Sequence, residues 1–181
     1  MNAIGMVEYN NIPAGIYAAD AMLKAAEVKL LAAQPICAGK YIALVGGDVA
    51  PVRAAVDATA SVMPGMLVDS MVIPSVDPQV MTAINAYSEI ESVEAIGIIE
   101  TFSLVSAILA ADAAVKAANV RLIEIRLGRG LGGKSFVILT GLVAAVESAV
   151  SVGVALEEVQ GLITSSVVIP SPAKELIGSL L

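Results

Sequence analysis

The sequence predicts an α+β protein built from two tandem domains, each with the order β-α-β-β-α-β, and three observations carry that prediction. Residues 3–30, "AIGMVEYNNIPAGIYAADAMLKAAEVKL", align with residues 95–122, "AIGIIETFSLVSAILAADAAVKAANVRL", at an offset of 92, with 14 of 28 positions identical. The match resumes after a two-residue insertion at "GKYIALVGGDVAPVRAAV" against "GKSFVILTGLVAAVESAV", and it ends on "VIPS" at 72–75 and again at 168–171. Within each copy, short runs rich in Val and Ile are separated by longer Ala-rich runs of helical period. The duplication divides the chain near Ser88–Ser92, into domains 1–91 and 92–181. The order of elements is the ferredoxin-like, split-βαβ pattern. That fold hosts many functions and by itself decides none.

The first copy sets out each element. "AIGMVEY" is a short strand. "PAGIYAADAMLKAAEV" is a helix with Pro13 near its first turn, and Ile16, Ala19, Leu23 and Ala26 share one face. "VKLLAAQPI" and "YIALVGG" are strands joined by a loop that contains Cys37. "DVAPVRAAVDATASVM" is a helix that Asp48 can cap, with Pro51 tolerated in the first turn. "MLVDSMVIP" is the final strand, and a short helix follows "SVDPQ".

Composition narrows the function classes. Hydrophobic residues make up 57% of the chain and mean hydropathy is +0.86, yet no stretch qualifies as a membrane-spanning helix. The longest uncharged run, Val159 to Ala173, is broken by Gln160, Thr164, serines and two prolines. The start, "MNAIGMVEYN", lacks a basic segment followed by an apolar one, so no signal peptide is read there. These features predict a soluble, cytoplasmic protein. So much apolar surface with only 15% charged residues points to oligomerisation. A net charge of −7 argues against nucleic acid as a partner.

The chain has no histidine. That removes the commonest general base, the Ser-His-Asp and Cys-His nucleophile systems, and imidazole metal ligands. No catalytic residue is assigned, and the protein is read as a non-enzyme. The single cysteine excludes an intrachain disulfide. Cys37 has two readings, a small buried hydrophobe or a ligand that acts only when chains converge on an axis, since thiolates are the usual iron–sulfur ligands. Gly128 to Ser135 fits the string G-x-x-x-x-G-K-S, but a phosphate-binding loop needs a helix after it. Here "SFVILTG" follows and reads as a strand, so a glycine-rich hairpin is expected. Lys24 and Lys116 lie four residues after Asp20 and Asp112, the spacing of surface helix pairs. Glu8 and Glu100 also repeat and, without a partner acid or metal motif, are read as structural.

These residues carry a resemblance. "AIGMVE…AADAMLKAAEVKL…CAGKY…GGDVAPVRAAV…LVDSMVIP" and its second copy resemble the bacterial microcompartment (BMC) shell domain in tandem, over essentially the whole chain. The resemblance implies a homotrimer shaped like a hexamer, in the microcompartment shell of the cytoplasm, with other shell proteins as lateral partners and no membrane or nucleic acid. "ICAGK" and the glycine-rich "GGK" loop further resemble the propanediol-utilisation T-type shell proteins. That likeness implies one [4Fe–4S] cluster per trimer through three symmetry-related Cys37, electron transfer or cluster delivery across the shell, and a luminal or cytosolic redox enzyme as a further partner. It makes Ile36, Ala38, Gly39, Arg129, Gly130, Leu131 and Gly132 pore-lining, and Asp20, Lys24, Asp112 and Lys116 edge residues for assembly. Many shell domains carry an arginine after the last strand's "IP", where this chain has Ser75 and Ser171. Two alternatives stay open: a tile whose pore conducts small polar metabolites with no cluster, and a soluble ferredoxin-like trimer that binds a ligand.

Overall fold

A computed structural model of the chain describes residues 2–85, 90, 92–128 and 130–180. The first repeat runs β1 (Ala3–Tyr9), α1 (Ile12–Ala25), β2 (Lys29–Ile36), β3 (Lys40–Gly47), α2 (Val49–Asp57) and β4 (Leu67–Pro74), followed by α3 (Pro78–Ile84). The second runs β5 (Ala95–Thr101), α4 (Leu104–Ala117), β6 (Val120–Leu127), β7 (Ser135–Gly141), α5 (Val143–Ala155) and β8 (Ile163–Pro170), followed by α6 (Lys174–Leu180). Each repeat folds into an antiparallel four-stranded sheet, in the orders β2-β3-β1-β4 and β6-β7-β5-β8. This is the tandem ferredoxin-like α+β architecture the sequence predicts.

The chain forms two compact units. One comprises Met1–Val76 together with Gly128–Gly133, the other Asp77–Leu127 and Lys134–Leu181. Helix α3 thus belongs with the second repeat. There Gln79 reaches β6, the edge strand of its sheet: its Oε1 accepts from Leu122 N at 3.1 Å and its Nε2 donates to Val120 O at 3.4 Å. An amide side chain so placed occupies backbone groups that an edge strand would otherwise expose. The expected domain boundary falls beside Glu91, which lies outside the described residues.

The first unit's core is Val7, Tyr9, Ala14, Ala18, Met22, Ala43, Val45, Ala55 and Val56, where α1 and α2 cover one face of the sheet. The buried stripe of α1 is Ala14, Gly15, Ala18, Ala19 and Met22. Of the face read from periodicity, Ile16, Ala19, Leu23 and Ala26, only Ala19 is buried, while Ile16 and Leu23 are exposed. An apolar helix with few charges has no unique hydrophobic side, and the small residues win because they let the helix approach the sheet. A Cβ added at Gly15 would lie 2.3 Å from the Cβ of Tyr41 on β3. Gly5 and Gly97 do the same for α2 and α5, with Val52 and Val56 facing the first and Val146 and Val150 facing the second.

Asn11, Asp77 and Ser103 cap their helices, accepting from Ala14 N, Gln79 N and Ser106 N at 2.8, 2.9 and 3.0 Å. Asp48 stands at the N-cap of α2 but makes no capping hydrogen bond, which corrects that expectation. Helix α2 also ends sooner than the sequence suggests, at Asp57. A 3₁₀ turn over Ala58–Ser61 follows, and Met63 then turns with a φ of 42°. Tyr9 is tied to that turn, donating to Thr59 O at 3.0 Å, and burial raises its phenol pKa above the usual value. Among the described residues no helix is long and apolar enough to cross a membrane.

Candidate functional site

Strand β2 ends at Ile36 and β3 begins at Lys40, so Cys37, Ala38 and Gly39 form the tip of a tight hairpin. The register pairs Ile36 with Lys40, and Gly39 turns with a φ of 80°. Ala38 and Gly39 are exposed, Cys37 is partly buried and Ile36 is buried. The glycine-rich loop of the second repeat, Gly128–Gly133, belongs to this same compact unit. Cys37 N donates to Gly128 O at 3.0 Å, and Gly130 N donates to Cys37 Sγ at 3.1 Å. Gly130 has a φ of 73°, which side-chain-bearing residues rarely adopt. Gly133 packs beside Lys40 Nζ and Cys37 O. The structure therefore brings Cys37 together with Gly130. Leu131 is half-buried, Gly132 is exposed, and Arg129 lies outside the described residues.

The expected [4Fe–4S] cluster does not stand. The chain has one cysteine, and among the described residues no group of three or more His, Cys, Asp or Glu could hold a metal. Cys37 Sγ has a backbone N–H as its neighbour rather than a second ligand, and a cluster is held by several thiolates. Cys37 is withdrawn as a metal ligand. With the cluster go electron transfer, cluster delivery and the redox enzyme as a partner.

The Gly128–Ser135 string is not a phosphate loop. Ser135 opens β7, so no helix N-terminus stands behind the glycines. What the sequence reading missed is the role of the lysine that ends each loop. Lys40 Nζ donates to Glu8 Oε1 at 2.7 Å, and Lys134 Nζ to Glu100 Oε2 at 3.1 Å. Glu8 is wholly buried, whereas Lys134 and Glu100 are both partly exposed. The signal was present: Glu and Gly-Lys recur together in both copies.

The two helix pairs form as spaced. Lys24 Nζ lies 2.6 Å from Asp20 Oδ2, and Lys116 Nζ 2.5 Å from Asp112 Oδ2, each lysine in the last turn of its helix, where the dipole favours a cation. The hydrogen bond with Asp20, ahead of its charge, holds the Lys24 pKa above the usual value. The pairs differ in their surroundings. Asp20 is open to solvent, while Asp112 is buried and its second oxygen accepts from Asp77 N at 2.9 Å, fastening the start of α3.

The chain is similar to proteins of one family. The BMC domain matches residues 3–76 and 95–172. The bacterial microcompartment shell protein PduT of Citrobacter freundii is 40% identical over 174 residues, spanning 96% of this chain and 95% of its own length. The shell protein EutM of Salmonella typhimurium is 47% identical over 76 residues, 41% of this chain and 79% of EutM. Among solved structures, a microcompartment protein of Desulfitobacterium hafniense is 53% identical, with a TM-score of 0.89 over 98% of this chain and 99% of that one.

Proposed function

The chain belongs to the BMC domain family, and from that premise we propose that it is a structural tile of the bacterial microcompartment shell. Its place is the shell within the bacterial cytoplasm, among other shell proteins. Three copies, each supplying domains 1–91 and 92–181, close into a ring of six similar domains. The observation that carries this reading is the duplication itself. Both repeats keep one strand order and one Lys–Asp pair at the same helix end. Two similar domains repeated three times satisfy the edges that six identical domains would.

The Cys37 hairpin and the 130–132 loop, brought together in one unit, face the ring's axis. The exposed Ala38, Gly39, Gly130 and Gly132, with Ile36 and Leu131 behind them, line a passage for small polar metabolites, and Cys37 is a free thiol there. Light scattering at micromolar concentration should give the mass of three chains, and electron microscopy should show sheets or tubes. A stable monomer would overturn the trimer. Trimers that never tile would favour a soluble ligand-binding protein instead.

A further inference from the structure

The register of the second sheet sets two rows of residues across its four strands. One row runs Arg126, Phe136, Glu100 and Ser165, and the next runs Glu124, Ile138, Ile98 and Val167. Phe136, Ile138, Ile98 and Val167 line an open groove of about 350 Å³. Small-molecule sites have volumes of roughly 300–1,000 Å³, so the groove is sized for a small ligand. At the matching register positions of the first repeat, Met6, Leu44 and Met71 are all buried, whereas Val167 is 47% exposed. The groove therefore belongs to the second repeat alone.

Charge at the groove gives the ligand its polarity. The Arg126 guanidinium carbon lies 5.1 Å from the centre of the Phe136 ring. Its Nε and Nη2 donate to the two oxygens of Glu124 at 2.6 and 2.9 Å. Lys134 Nζ donates to Glu100 Oε2 at 3.1 Å, and Glu100 lines the groove beside Ser165 and Ser166. Each acid has its own cation, and in both pairs the cation is the more exposed, most clearly Arg126 at 49% against 17% for Glu124. A guanidinium carries five N–H donors and an ammonium three, so donors remain on both cations after these bonds, while both Glu124 oxygens are engaged. We propose that the groove binds a small carboxylate with an apolar tail. The tail lies on Ile98, Ile138 and Val167, and the carboxylate sits at the Phe136 end, where Arg126 and Lys134 donate to it. Every residue of the site belongs to one compact unit, so the proposal stands apart from the ring.

The test titrates the full chain with octanoate, octylammonium and octanol, below the concentrations at which they self-associate, and follows the methyl signals of Ile98, Ile138 and Val167 by NMR. Octanoate should move those signals and bind about tenfold more tightly than octylammonium. That preference would run against the net charge of −7, which attracts cations in general. Arg126→Gln and Lys134→Gln should each weaken octanoate several-fold and leave octanol unchanged. Val167→Asp should remove octanoate binding, with Val152→Asp on exposed α5 as the control that keeps it. Should circular dichroism show Val167→Asp to be unfolded, Val167→Ser takes its place and should weaken octanoate. Octylammonium binding as tightly as octanoate would overturn the proposal. So would octanoate binding untouched by both glutamine variants, or no movement of the groove methyls at all.

Discussion

Glu8 holds a carboxylate with no solvent exposure, and Lys40, whose own side chain is 22% exposed, is its cation at 2.7 Å. Losing the cation beside a carboxylate that water does not reach costs far more than the pair contributes. Lys40→Met should therefore lower the stability of the first unit by about 3 kcal/mol. The repeat counterpart supplies the comparison. Lys134 and Glu100 are 39% and 34% exposed and 3.1 Å apart, so water compensates either partner when the other is lost. Lys134→Met should cost under about 1 kcal/mol. Urea midpoints of the two variants would check the contrast, and equal losses would show that burial is not what separates the pairs. At this scale the sequence identified the right residues but not their partners. Glu8 and Glu100 repeat, as does the Gly-Lys dipeptide, but the pairing spans 32 residues and becomes visible only once β1 and β3 are in register. For the thiol, the sequence resemblance implies ligands from three converging chains, whereas the structure gives Cys37 Sγ a glycine N–H within its own compact unit.

Between elements, helix-to-sheet distance decides the fit, and glycine sets it. Gly15 brings α1 onto Tyr41, whereas the second repeat has Ala107 and Ser135 at the same two places, exchanging bulk on the strand for bulk on the helix. Gly15→Ala gains up to about 1 kcal/mol of helix propensity, but its methyl would meet the backbone-anchored Cβ of Tyr41 at 2.3 Å. Overpacking that neither group can swing away from costs about 1–3 kcal/mol. The variant should therefore be net destabilised, and Gly15→Ala with Tyr41→Ser should lose less than the sum of the single changes. A double-mutant cycle on thermal midpoints measures that coupling, and simple additivity would refute the size exchange. Strand order and element type were legible here because the duplication showed every element twice. The buried side of α1 was not, because Ile16 and Leu23 are as apolar as the residues that were buried. Hydrophobicity alone could not choose between a face that packs on its own sheet and one left open.

For the whole molecule, the question is how the proposed rings meet. The compact units depend on glycine contacts, capping and apolar cores, while Lys24 is 75% exposed and pairs with Asp20. A side chain so placed adds almost nothing to folding, yet it carries an apolar stem and a cation that a neighbouring ring could cover. Lys116 is 42% exposed, and its partner Asp112 also holds Asp77 N, so the aspartate has a task inside the unit that the lysine lacks. This sets the choice of variant. Asp112→Ala would loosen the start of α3 and confound assembly with folding, whereas the lysines can be cut without disturbing that bond. Lys24→Ala with Lys116→Ala should leave the three-chain mass and the thermal midpoint near the parent's, while reducing the number and extent of sheets or tubes seen by electron microscopy. Restoring one lysine should recover part of the tiling, since each proposed ring would carry both kinds of edge. A double variant that tiled like the parent would remove Lys24 and Lys116 from the edge. One that lost the three-chain mass would place them at the contacts within the proposed ring instead.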